Sequence, residues 1–216
     1  MDARPGRLGA GRVRALTPDN ERRVAALLAG YGGLYLACWI GLGPATLAWS
    51  LNRALGVTAY LALALGVTLG ALLGSRLAPP WLARAAQAGW HSLLTTSALV
   101  LGTAHGLMLT VDRQDAQPLQ AVLIPGASEV LPFAVGLGTL GAYALLLVWG
   151  STALRARLSR RVWHGLHLLA YPAFALLTWH GLAAGSDPLG GMYALAGAGA
   201  ALTLVARVRE ERRRVR

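Results

Sequence analysis

Six stretches of this chain contain no Asp, Glu, Lys or Arg: residues 24–49, 54–75, 85–111, 130–154, 162–186 and 188–206. They are 26, 22, 27, 25, 25 and 19 residues long and together occupy 144 of the 216. A helix rises about 1.5 Å per residue, so roughly 20 mostly apolar residues cross the hydrocarbon core of a bilayer. All six stretches reach or nearly reach that length. They predict an all-α fold, a six-helix transmembrane bundle spanning residues 24–206, between a basic segment at 1–23 and a basic tail at 207–216. A soluble domain carries about 25% charged residues. Here 13% are charged and 55% hydrophobic, too little charge to solvate a water-facing surface.

The charges that exist are unequally divided. All 20 basic residues are Arg. One side of the predicted bundle holds 18 of them, from Arg4, Arg7, Arg12, Arg14, Arg22 and Arg23 through Arg76, Arg84, Arg155, Arg157, Arg160 and Arg161 to the six between Arg207 and Arg216, against five acids. The other side holds Arg53 and Arg113 against Asp112, Asp115, Glu129 and Asp187. The net charges are therefore +13 and −2. By the positive-inside rule both termini are cytoplasmic. Nucleic-acid binding would need those arginines on one folded surface, interleaved with aromatics. They flank apolar segments instead, so no nucleic-acid partner is expected; membrane lipid is.

No cleavable signal peptide is expected, because the first apolar run is longer than a signal core and has no clear small-x-small site. Asp19 and Glu21 weaken an organelle transit peptide. The single Cys38 falls in the first span and reads as a buried thiol without a disulfide. Small residues four apart (Gly66, Gly70 and Gly74; Ala194 with Ala198; Gly197 with Ala201) suit close helix packing in lipid. Trp49, Trp81, Trp90, Trp149 and Trp163 fall near span ends, as an interfacial belt does. Gly136-Leu137-Gly138-Thr139-Leu140-Gly141 matches G-x-G-x-x-G, but it lies inside an uncharged span and the next acid is Asp187. A dinucleotide site needs a preceding strand and an acid about 20 residues on. These are helix-packing glycines.

The histidines carry the functional information. All five fall in two spans: His91 and His105 in the third, His164, His167 and His180 in the fifth. Ionisable groups at membrane depth are costly and mark pathways or cofactors. His91 and His105 lie 14 residues apart, about 21 Å along a helix and only about 40° off one face. His167 and His180 lie 13 apart, about 20 Å along the axis. Both odd-numbered spans run outward, and the histidines stand at similar distances from Arg84 and Arg161, so the spacing pairs them at two depths. One point stays open: thirteen residues of regular helix turn His180 about 140° away from His167. Either a kink at Pro172 re-phases them, or two ligands lie toward different sides of the helix.

Zinc and copper sites need three or four converging ligands, often with Cys or carboxylate. Two pairs about 20 Å apart cannot share one ion. Each pair can clamp a flat macrocycle between neutral imidazoles, and without C-x-x-C-H the expected group is non-covalent b-type haem, two per chain. With both axial positions filled, the chemistry is one-electron transfer. His164, three residues after Arg161, is an alternative inner ligand to His167 or a partner for a haem propionate. Arg84, Arg161 and Arg113 read either as propionate partners or as solvated loop charges.

Over residues 84–187 the chain resembles the ferric reductase-like transmembrane domain family, shared with NADPH oxidases and bacterial relatives. The resemblance rests on His91, His105 and Asp112, and on Trp163, Leu166, His167, Tyr171 and Pro172 leading to His180, Gly181 and Asp187. It implies a six-helix bundle in the inner (plasma) membrane of a bacterial cell. The inner haem would lie between His91 and His167 and the outer one between His105 and His180. Electrons would pass from a cytoplasmic or quinol donor to an extracytoplasmic acceptor, ferric iron or a redox partner. Family members continue into a flavin and nicotinamide domain. This sequence shows none, so FMN or FAD would come through a separate flavoprotein or bind at the cytoplasmic face. In size the chain is also similar to the haem-binding subunit of the periplasmic methionine-sulfoxide reductase system, where the third helix commonly supplies only the outer His. His91 draws it toward the two-haem type. Two other classes use the same histidines differently: a transporter moving protons or metal ions, and an assembly protein in which they only pack.

Overall fold

The computed structural model describes residues 18–73 and 84–215. The start of the basic N-terminal segment, with Arg4, Arg7, Arg12 and Arg14, lies outside them, as do Gly74, Arg76, Trp81 and Arg216. The described residues are helical and contain no strand. The helices are α1 (Pro18–Ile40), α2 (Leu47–Leu72), α3 (Arg84–Met108), the short α4 (Leu119–Leu123), α5 (Pro132–Ala153), α6 (Arg160–Leu168), α7 (Ala170–Ala184) and α8 (Gly190–Val215), with one 3₁₀ turn at Arg155–Arg157.

Four of them, α1, α2, α5 and the Gly190–Glu210 part of α8, are long and apolar enough to cross a membrane. The histidine-bearing segments are not among these four. In α3 the two His, with Gln87 and several Ser and Thr, dilute the apolar content. The fifth uncharged stretch is not one helix but two, α6 and α7. Pro172 has no N–H, so the carbonyl of Leu168 loses its i+4 donor and the preceding turn tightens. Leu169 N–H donates to Leu166 O at 3.1 Å, and the regular pattern resumes with Ala173 N–H to Leu169 O at 3.0 Å.

Element boundaries depart from the charge boundaries in two places. Residues 24–49 are not a single span: α1 stops at Ile40, and α2 begins at Leu47. Gly41 (φ 81°) and Gly43 (φ 131°) turn the chain between them in conformations that disfavour a side chain. Arg53 therefore stands within α2 rather than in a loop. At the other end α8 continues through the Arg-rich tail to Val215, so residues 207–215 extend the last helix.

Side-chain contacts sort the helix ends. Asn20 Nδ2 donates to Gly89 O at 3.2 Å, joining the starts of α1 and α3. Arg207 Nη1 donates to the carbonyls of Gly70 (3.2 Å), Ala71 and Leu73 (both 3.4 Å), so α8 caps the C-terminal carbonyls of α2. At the opposite end the Tyr35 and Thr110 hydroxyls meet at 3.0 Å. There too Arg53 pairs with Asp187. The arginine-rich segments thus share one end, which we call the basic end.

The interior is small and the exterior apolar. Ala59, Ala64, Ala71, Ala98, Ala104 and Ala173 are buried, with Thr96, Thr139 and Ser151 among them. Large apolar side chains point outward, including Trp39 (72% exposed), Leu195 (78%) and Leu202 (70%). Small residues permit close helix contact, and an apolar exterior suits lipid. Tyr60, Leu63, Val67, Phe174 and Tyr193 form the largest buried cluster, joining α2, α7 and α8. Cys38 is buried and free, as its place in the sequence suggests.

Candidate functional site

Helix α3 packs chiefly on α2, and α7 chiefly on α5. The two histidine-bearing layers meet through their rings. His91 faces His167 with centroids 6.2 Å apart and planes at 62°. His105 faces His180 with centroids 5.9 Å apart and planes at 70°. The break between α6 and α7 answers the phase problem: with it, His167 and His180 both turn toward α3.

Three of the four rings are tethered through Nδ1 to a helix carbonyl on a neighbouring helix. His91 Nδ1 lies 2.8 Å from Gly66 O, His105 Nδ1 2.9 Å from Asn52 O, and His180 Nδ1 2.8 Å from Ala134 O. A carbonyl oxygen only accepts, so the proton sits on Nδ1 and the Nε2 lone pair is left for another partner. Metal-binding histidines are oriented in this way. Helices α2 and α3 run antiparallel, so the 14-residue spacing of Asn52 and Gly66 matches that of His105 and His91. The tethers are in register.

His167 is held differently. Its ring stacks on Trp163 of the preceding turn, with centroids 5.1 Å apart and planes at 24°. The Arg155 guanidinium caps the indole, 4.3 Å from its centroid. His167 Nδ1 and Trp163 Nε1 are both buried without a hydrogen-bond partner among the described residues. His164 is exposed and belongs to neither facing couple among the described residues; its ring lies 6.4 Å from Trp163, the indole on which His167 stacks. Sequence reasoning placed Trp163 in an interfacial belt and missed its stacking role. It also missed Arg155 and Arg207 beside His167, and the tethering carbonyls, which leave no side-chain signature.

The residues present fit a bis-imidazole metal group. Two imidazole nitrogens about 2.0 Å from one metal are about 4 Å apart, which puts the ring centres about 6 Å apart. Both pairs have that separation. Among the described residues no three His, Cys, Asp or Glu converge, so each pair offers two ligands, as a macrocycle with its own four nitrogens requires.

Other residues of the resemblance have structural places. Asp112 is buried and its Oδ1 accepts Gln114 N–H at 3.0 Å, turning the chain after α3. Gly181 lets the Tyr193 ring of α8 lie against α7. The Gly136–Gly141 run lies within α5. Compared with known protein families, curated proteins and solved structures, the chain has no match, so its site is read from its own geometry.

Proposed function

We propose that this chain is an integral membrane protein of six crossings, with cytoplasmic termini, that binds two b haems and carries electrons across the bilayer. The observation that supports this most is the pair of facing imidazole couples, 5.9 and 6.2 Å between ring centres, with three Nδ1 atoms donating to carbonyls. Arginines at one end and acids at the other supply the orientation. His91 and His167 lie toward the basic, inner end; His105 and His180 lie about 21 Å further along α3.

When bound, a b-type haem with two imidazole ligands supplies reversible one-electron chemistry at an iron that has no open coordination position. The chain's residues do the rest. Carbonyls of Asn52, Gly66 and Ala134 hold the proton on Nδ1 and the ring plane in place. The small-residue interfaces bring α2 against α3 and α5 against α7. The apolar exterior keeps both pairs at membrane depth. Electrons enter at the basic end from a separate flavoprotein or a quinol, and leave at the Arg53–Asp187 end to an extracytoplasmic acceptor.

The test is a visible spectrum of protein purified from haem-replete cells, before and after dithionite. The expected result is a reduced b-type spectrum with two haems per chain by pyridine haemochrome assay. Colourless protein overturns the proposal and returns the histidines to packing or proton movement.

A further inference from the structure

The three tethering carbonyls share a feature. In a helix the carbonyl of residue i accepts from the N–H of residue i+4, and each Cα–Cβ bond leans toward the N-terminus. The Cβ of residue i+4 therefore stands beside the oxygen of residue i, where a second donor from another helix would approach. At all three tethers residue i+4 is glycine: Gly56 after Asn52, Gly70 after Gly66, and Gly138 after Ala134.

A Cβ built on each would collide with the tethered ring. On Gly56 it would lie 2.9 Å from His105 Nδ1, on Gly70 2.8 Å from His91 Cε1, and on Gly138 2.9 Å from both Nδ1 and Cε1 of His180. The ring has little freedom to give way, because its Nδ1 is fixed on the oxygen. The fourth histidine supplies the contrast. Among the described residues His167 has no carbonyl tether, and at no described glycine is its ring among the atoms that an added Cβ would meet first.

We propose that Gly56, Gly70 and Gly138 are positioning residues, each opening the carbonyl one turn earlier so that a facing histidine donates Nδ1–H there and keeps Nε2 for a metal. The metal rests on the two-haem reading above; the ring–glycine contact does not. Glycine inside a helix is less favourable than alanine, so a glycine that merely fills space gains stability when replaced.

The experiment is a double-mutant cycle with thermal unfolding of detergent-purified protein. Gly138→Ala should lower the midpoint by about 3 °C or more in the otherwise unchanged chain. In a His180→Ala background, where the ring is gone, it should have no effect or raise the midpoint. Gly150→Ala on the same helix, with open space around it, should not lower the midpoint in either. If Gly138→Ala alone fails to accumulate, His180→Ala should restore it. An equal loss in both backgrounds, or no restoration, overturns the inference. In the haem-loaded protein Gly56→Ala and Gly138→Ala should weaken retention of the outer haem, and Gly70→Ala the inner, by about 10-fold or more. Full retention and unshifted midpoint potentials in all three variants overturn the positioning role and leave the two-haem reading standing. A wild-type chain without haem overturns that reading, while the cycle still decides the ring–glycine contact.

Discussion

The outer and inner histidine pairs have nearly the same separation but are built by different means. His105 and His180 are each tethered by an N–H···O=C bond, to α2 and to α5. In the inner pair only His91 is tethered; His167 rests on an indole. A hydrogen bond fixes both the tautomer and the rotation of the ring about its Cβ–Cγ axis. Stacking fixes the plane but sets neither the tautomer nor which way the ring is flipped about that axis, and Nδ1 stays unpaired among the described residues. The outer site is thus rigid on both faces. The inner site is rigid on the α3 face alone, and its other face leads through Trp163 and Arg155 to the basic end. In the proposed function this is the face that an electron donor approaches.

The largest effects break one pair and spare the other. His105→Ala or His180→Ala should reduce the content from two haems per chain to one and leave the inner haem's potential in place. His91→Ala or His167→Ala should do the reverse, read by redox titration of the reduced band. Loss of both haems from any single variant would show that the two sites are not independent.

A smaller effect separates stacking from tethering. Trp163→Ala should loosen the inner haem on mild heating while the outer one stays, and Trp163→Phe, which keeps an aromatic face, should recover most of the retention. Should Trp163→Ala release the outer haem as readily, the indole is a general packing residue.

Arg207→Met removes the donor to the last carbonyls of α2, one turn beyond the His91 tether. Such a hydrogen bond from a charged group contributes about 1.5–3 kcal/mol, so a clear fall in thermal midpoint is expected, with the inner haem affected first. The smallest effects belong to the surface. Arg53→Ala breaks a half-exposed ion pair with Asp187 and should cost no more than about 1 kcal/mol. His164→Ala should leave haem content unchanged; if it loses haem while His167→Ala keeps it, the inner pairing is wrong.

Much of this was readable from residue order. The charge-free stretches announced the long helices because a span excludes charge over most of its length. The 14- and 13-residue spacings announced two levels because rise per residue is nearly constant. Local geometry was harder to read. Arg53 looked like a loop residue because charge normally marks a boundary, whereas Gly41 and Gly43 set the boundary twelve and ten residues earlier. Pro172 advertised a disturbance, but the break falls at Leu169, where the lost hydrogen bond is absorbed. Gly70 and Gly138 read as packing glycines, since a backbone carbonyl has no letter in the sequence.

Composition and periodicity therefore determined, unaided, that this chain is helical and membrane-suited and that its histidines occupy two segments at two levels. Only the tertiary structure decided which rings face each other and which are tethered. Facing depends on the helix phase across a kink, and tethering on a carbonyl of a helix far away in sequence. Both are set by how neighbouring helices lie against one another, which spacing along one helix does not encode.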